Sequence, residues 1–425
     1  MVSSLRVPRL RTVILLLLAS SLLLACNDDT LTPQRQSNQD ALFDRYVSIG
    51  NSITAGFLSG GISQQTQMAA YPVLLSRQMG TEFSVPLLRS PGCPPPLVSF
   101  FNDQGVPDPQ RPPNAPACAF RERTPPLVTN NVAVPSATVL DVITNDVSQG
   151  ASPNALTQFL LGDRTQIEVA REANPTFATV WIGNNDVLGP AVNGTADVTP
   201  PSEFESQYAT ILDSLASGSN LQGGVLVGVA NVAFTPFFSP GPVYFGLDQQ
   251  GQFPQNFNVA SSCDTRDPDT GLTPLVPLEY GFSLIGQAIQ NPGQPVTLDC
   301  QAADTPVLTL TEVSTIVGTV QQYNAFIQQQ AQQRDLAYFN PNTVFAALYT
   351  NEDGDPDPTN DLIPKFPDRD SDQPFGQFFS LDGVHPSAVT HRVVADQLVR
   401  VINETYDTDL SRLENIPPLP TESGQ

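Results

Sequence analysis

Lysine is almost missing from this chain: one, Lys365, stands among 425 residues. With 19 Lys and Arg against 42 Asp and Glu, the formal net charge is −23. A surface so poor in cations lacks the electrostatic footprint that nucleic acid or an anionic bilayer demands. Two readings of the acidity stay open: adaptation to high salt, where self-repulsion is screened, and an acidic surface without special meaning. Histidine is nearly as rare. Only His385 and His391 occur, so any imidazole chemistry must use one of them. No CxxC or CxH pair is present, which removes the usual spacing of a zinc site. No GxSxG is present, so the nucleophile elbow of the α/β-hydrolases is not indicated. Beyond Leu24 no apolar run is long enough to span a bilayer.

The run that does exist, Val13 to Leu24, follows Arg6, Arg9 and Arg11. It is too short for a comfortable span and suits a signal-peptide core. It ends in Leu23-Leu24-Ala25-Cys26, which resembles a lipobox, with cleavage before Cys26 and lipidation of its thiol. The alternative is an ordinary signal peptide with an incidental cysteine. A lipobox implies a lipid anchor in the bacterial envelope. Asn27 after the cysteine points to the outer membrane, with the cell surface open as a destination. Processing there leaves 400 residues, enough for a large core in one decorated domain or in two.

Four further cysteines remain: Cys93, Cys118, Cys263 and Cys300. An even number in an exported chain suggests two disulfides, and three pairings are possible. Cys93–Cys118 and Cys263–Cys300 are preferred, because each closes a Pro-rich loop between core elements.

Residues 26–41 read as a polar tether. Tyr46 to Ile49 reads as a strand running into Gly50, and Asn131 to Val134 as another strand end. Phe177 to Ile182 and Val225 to Ala230 are nearly continuous apolar runs, as expected of parallel strands buried on both faces. Leu336 to Phe339 is a third, shorter one. Helices fall between. Ser202 with Glu205, and Thr309 with Glu312, carry the capping-box spacing. Phe204, Tyr208, Ile211, Leu212 and Leu215 then repeat at helical period, as do Val313, Ile316, Val317, Val320 and Ile327. A last helix follows Pro386. This alternation predicts a parallel α/β sandwich. Two stretches interrupt it: residues 86–126, with 12 prolines, and residues 235–304. Both read as insertions in a domain covering 42–408, followed by a tail, 409–425.

His391 falls on the apolar side of the last helix and reads as a packing residue. His385 precedes that helix in Leu381-Asp382-Gly383-Val384-His385-Pro386. In a tight turn, Asp382 three residues earlier can reach the imidazole Nδ1–H and set its tautomer. Alone, such a DxxH is more often a solvated turn. Ser52, in Gly50-Asn51-Ser52-Ile53-Thr54, stands where a strand's carboxyl end enters a helix, in the usual ligand crevice of an open α/β sheet. Its bland role is a helix cap. Trp181-Ile182-Gly183-Asn184-Asn185-Asp186 ends the buried strand; an Asn side chain there can donate to an oxyanion, or simply form a polar turn.

Together these pieces resemble the SGNH, or GDSL, hydrolase family: GNSIT at Gly50, GNND at Gly183 and DGVH at Asp382, in the family's order. Asn51 stands where the family name has Asp. The resemblance implies a flavodoxin-like, three-layer α/β/α sandwich with a central parallel sheet. It implies Ser52 as nucleophile, His385 as base and Asp382 as its orienter. It implies an oxyanion hole from the Ser52 amide, the Asn185 side chain and a second-block glycine amide, here at Ser136. The expected activity is hydrolysis of a small-molecule, lipid or acylated-carbohydrate ester without cofactor. On this reading Asp382→Asn costs less than loss of Ser52 or His385, since an amide can still hold the ring. A rival is a surface binding lipoprotein that keeps the fold without the activity. A last motif, Asn351 to Asp357, alternates Asp and could offer oxygens to Ca²⁺. It lacks the downstream glutamate of an EF-hand, and an unliganded acidic loop is preferred.

Overall fold

Four strands lie side by side in the order Tyr46–Gly50, Phe177–Trp181, Gly223–Val227, Ala337–Phe339, and every neighbouring pair is parallel. The structure is a computed structural model that describes residues 38–102, 105–118, 128–349, 358–359 and 361–417. Tyr46 sits opposite Phe177, Phe177 opposite Gly223, and Val225 opposite Ala337. An extended stretch at Asn130–Val134 adds to the outer side of the first strand. Ser48 N donates to Asn130 O, and Val132 N and Val134 N donate to Ser48 O and Gly50 O.

Side chains on these strands alternate cleanly between two cores, because successive Cβ atoms point to opposite faces. Val47, Ile49, Ala178, Val180 and Leu226 face one layer of helices: Val139–Ile143, Gln166–Glu172, Pro201–Ala216 and Leu310–Gln333. Tyr46, Phe177, Trp181, Val225 and Val227 face the other layer, Tyr71–Met79 and Ala388–Tyr406. The result is a three-layer α/β/α arrangement within the unit Leu42–Gln425. A short helix spans Asn38–Leu42. Full burial of each large apolar chain contributes roughly 1.5–3 kcal/mol, which is why runs such as Phe177–Trp181 hold a central place.

One helix start departs from the sequence reading. Ser202 does not cap: the helix begins at Pro201, with Pro200 at the cap position and no side-chain cap bond. Proline's fixed φ and missing N–H suit the first helical position, which places Ser202 inside the first turn. The second capping box does form. Thr309 N donates to Glu312 Oε2 at 2.8 Å, and Glu312 N donates back to Thr309 Oγ1.

Residues 235–304 build much of a third core around Tyr244, Phe257, Val276, Phe282 and Ile285, joined by Phe100, Phe366 and Phe375. Within it, Phe238–Pro240 pairs antiparallel with Leu275–Pro277, and Phe257–Val259 pairs parallel with Val296–Leu298. Cys263 is bonded to Cys300, and Cys93 to Cys118. In the 86–118 stretch a two-stranded antiparallel piece pairs Ser99–Phe101 with Pro107–Gln110. Cys26 and the acidic run Asn351 to Asp357 lie outside the described residues. Among the described residues no helix is long and apolar enough to cross a membrane, and no group of three His, Cys, Asp or Glu could hold a metal ion.

Candidate active site

Ser52 opens a one-turn helix, Ser52–Ala55, directly off the first strand. Asn51 caps it, its Oδ1 accepting from Ile53 N at 3.2 Å. The turn is possible only because residue 50 is glycine. A Cβ there would come within 2.2 Å of Thr54 Oγ1 and 2.7 Å of the Trp181 carbonyl oxygen. Beneath the turn, Thr54 Oγ1 shares a buried hydrogen bond with Tyr71 OH at 3.1 Å. Ser48, Thr179 and Tyr46 continue that hydroxyl network between the sheet and the Tyr71 helix.

The histidine loop lies 333 residues away in sequence and meets Ser52 directly. His385 Nε2 is 2.9 Å from Ser52 Oγ, and His385 Nδ1 is 2.9 Å from Asp382 Oδ2. The imidazole packs on Phe57, ring centroids 5.0 Å apart. Ser52 itself is largely buried.

Asp382 is saturated with donors. Oδ1 accepts from Val384 N, His385 N and Ser380 Oγ; Oδ2 accepts from Gly60 N at 2.5 Å besides His385 Nδ1. Burial pushes its carboxyl up, but the His385 charge and these hydrogen bonds outweigh it and hold the pKa at about 2. The Ser380 hydroxyl also accepts from Ser59 N at 2.7 Å, and Leu381 N donates back to Ser59 Oγ. Ser59 and Gly60 thus clamp the acid from a turn 322 residues distant. The 86–118 stretch holds that turn: Leu97 N donates to Ser59 O, Cys93 N to Ile62 O, and Arg111 to Gly60 O. Sequence reasoning missed Ser59, Gly60 and Ser380, since a Ser-Gly-Gly turn carries no local mark of its distant partner.

Ser136 is exposed and has φ +65°, the left-handed region that favours glycine. Here a serine carries the backbone shape that the family resemblance assigns to a glycine. Its loop is held from both sides. Asn154 Nδ2 donates to Pro135 O at 2.7 Å, and Asn185 Nδ2 donates to Ala137 O at 2.8 Å. Asn185 begins the helix Asn185–Val192 after Gly183, whose φ is +109°. A Cβ on Gly183 would meet Phe204 and Val229 side chains within 2.8 Å. One Asn185 amide hydrogen is used on Ala137, and a primary amide carries a second.

The neighbouring Asp186 was not singled out from sequence. It is 3% exposed, and its oxygens accept from Val139 N and Thr199 Oγ1, both at 3.0 Å. Burial pushes its pKa up to about 7 against those bonds. It fixes the start of the helix that follows the Ser136 loop. His391 is fully buried and makes no hydrogen bond to Ser52, Asp382 or His385. Its Nδ1 accepts from Tyr71 N at 3.2 Å, capping the Tyr71 helix, and burial with the nearby His385 charge pushes its pKa down to about 3.

A family model for GDSL-like lipases and acylhydrolases matches residues 46–398. No protein among the curated sequences matches the chain. Among solved structures it is similar to the acetylxylan esterase Axe2 from Geobacillus stearothermophilus, at 13% identity over 87% of this chain and 96% of that one, with a TM-score of 0.36. It is also similar to an extracellular lipase from Streptomyces rimosus, at 12% identity over 85% of this chain and 99% of that one, with a TM-score of 0.35.

Proposed function

This chain belongs to the GDSL-like lipase and acylhydrolase family and is a hydrolase of the SGNH type acting on esters, and from that premise we propose that it cleaves carboxylic esters through an acyl-Ser52 intermediate. The unbroken chain from Ser52 Oγ through His385 to Asp382, with 2.9 Å at each step, carries this reading. As Ser52 Oγ attacks the ester carbonyl, its proton passes to His385 Nε2. Asp382 holds the Nδ1–H tautomer and balances the imidazolium. The tetrahedral oxyanion is met by the Ser52 and Ser136 amides and the second hydrogen of Asn185 Nδ2, each such donor being worth roughly 3–4 kcal/mol. The intermediate collapses as His385 returns the proton to the departing alkoxide, which leaves as alcohol. Water, deprotonated by His385, then attacks the acyl-enzyme and releases the acid, regenerating Ser52.

The test is steady-state hydrolysis of nitrophenyl esters of increasing chain length. Ser52→Ala and His385→Ala should each abolish turnover with circular dichroism unchanged. The double variant should lose little more than either alone, because residues acting as a unit are non-additive. Hydrolysis of no ester by the wild type would favour the rival reading, a binding lipoprotein, to which Asn51 and Ser136 point as departures from the family motif.

We propose further that Cys26 is lipidated and anchors the protein in the envelope, at the outer membrane, with its ester substrate met there. The lipobox spacing supports this. Cys26→Ala should release the protein from the membrane fraction or leave it unprocessed; unchanged detergent-phase partitioning of a processed variant would refute the anchor. Residues 86–126 and 235–304 are read as family insertions that shape the acyl and alcohol preference.

A further inference from the structure

A cavity of about 450 Å³ opens where residues 231–275 meet the helices Leu310–Gln333 and Pro341–Tyr349. Ser52, Asp382 and His385 are not among its lining residues. Its volume falls in the usual range for small-molecule sites, roughly 300–1,000 Å³. Its chemistry runs against the rest of the chain. The protein carries 42 acidic and 19 basic residues, yet among the described residues two cations, Arg266 and Lys365, line this cavity and no carboxylate does.

The two cations are not equivalent. Lys365 Nζ lies 3.3 Å from Asp361 Oδ2 and 5.7 Å from the centre of the Tyr349 ring. Its charge is met by Asp361, which stands outside the lining. Arg266 is exposed and has no ion-pair partner among the described residues. Arg266 is therefore the cavity's cation without an ion pair among the described residues. Tyr349 lines the same cavity, and its phenol feels both Asp361 and Arg266. The remaining wall is largely apolar, with Phe234, Val243, Leu275 and Val313. An apolar pocket with few convergent polar groups is the ordinary form of a small-ligand site.

We propose that this cavity is a second binding site, separate from Ser52, for an amphiphilic monocarboxylate: an apolar chain or ring ending in one carboxylate. The guanidinium of Arg266 matches a carboxylate in bidentate geometry, and Phe234, Val243, Leu275 and Val313 cover the apolar part. One guanidinium without an ion pair, beside a lysine already paired with Asp361, matches a monoanion better than a phosphate dianion. The site does not use Ser52, so it stands or falls independently of the esterase reading.

Isothermal titration of the full-length protein with octanoate and with its neutral counterpart octanamide tests this. Octanoate should bind one per chain, and octanamide at least tenfold more weakly. Arg266→Gln should weaken octanoate at least tenfold and leave octanamide unchanged, which separates this cavity from product binding beside Ser52. Arg266 is exposed, so the variant should fold; if it does not, Arg266→Lys, which keeps the charge but not the planar fork, takes its place and should likewise weaken octanoate while leaving octanamide unchanged. No octanoate binding, equal affinity for the two probes, or indifference to Arg266→Gln overturns the proposal.

Discussion

Replacing Asp382 by Asn is the most exacting test of how the acid works. Three donors, from Ser380, Val384 and His385 N, converge on Oδ1 and two, from Gly60 N and His385 Nδ1, on Oδ2. An Asn side chain has only one accepting oxygen. It keeps most bonds by placing that oxygen at Oδ1, which puts its NH₂ where Oδ2 was. That NH₂ faces His385 Nδ1 as a donor, so Nδ1 must accept and the ring proton moves to Nε2. With Nε2 protonated, His385 cannot take the Ser52 proton. Loss of the correct tautomer costs about 10⁴-fold in turnover, roughly 5 kcal/mol of barrier. The family resemblance led to the expectation that Asp382→Asn costs less than loss of Ser52 or His385. A loss of about 10⁴-fold stays below theirs, but the reason changes, since the placement of five donors sets the ring in the wrong tautomer instead of holding it.

The same change should lower stability. The Asp382 pKa is about 2 against an ordinary 3.8, which is worth roughly 2 kcal/mol at neutral pH. Gly60 N loses its acceptor, adding about 1–3 kcal/mol. Because the folded pKa is depressed, this contribution is present above pH 3.8 and disappears as pH falls through 2. The wild type should therefore lose in that window what the variant lacks throughout. Nitrophenyl acetate turnover, urea unfolding and the ¹⁵N signals of the two histidines are the measurements. Turnover within tenfold of wild type, or a proton still on His385 Nδ1, would refute the tautomer argument.

Asn185→Ala should lower turnover by about a hundred- to a thousandfold; an unchanged rate removes Asn185 from the oxyanion hole. Asp186 has a raised folded pKa, so its contribution is full below pH 3.8 and is lost as pH rises through about 7, on the order of 4 kcal/mol in all. Urea unfolding across that range should show the slope, and Asp186→Asn should flatten it; an equal slope in the variant counts against the assignment. His391→Ala should leave ester turnover nearly unchanged while costing about 2–4 kcal/mol of stability, since a buried ring is lost and Tyr71 N is left unpaired. A tenfold fall in turnover would show that His391 does more than pack. Replacing Cys263 and Cys300 together by Ser opens a link of sequence separation 37 and should cost about 4 kcal/mol in the loop-entropy model. An unchanged urea midpoint would show that the bridge adds nothing.

Much of the sheet was readable because its signal is local. Phe177–Trp181 and Gly223–Val227 are buried on both faces, and such strands announce themselves as continuous apolar runs whatever surrounds them. Their ends were misplaced by a residue or more. The apolar stretch runs on to Ile182 and Ala230, but the ladder stops where Gly183 turns and where Gly228 bonds to Phe339. The Thr309 capping box formed because both its partners lie within one turn. Ser202 failed because the proline before it was better suited to start the helix.

The site divides along the same line. Scarcity alone reduced the imidazole candidates to His385 and His391, and the three-residue spacing of Asp382 to His385 is short enough to be decided by one turn. Nothing local distinguishes Ser52 from a helix cap. Only the packing of the last helix against the Tyr71 helix and the sheet brings Nε2 to its oxygen across 333 residues. The Ser59–Ser380 clamp, the grip of Asn185 and Asp186 on the Ser136 loop, and the left-handed backbone of Ser136 belong to tertiary structure alone. Periodicity and spacing report what a chain does with its near neighbours. A buried carboxylate's donors are instead set by which distant backbone amides the close-packed interior leaves facing it.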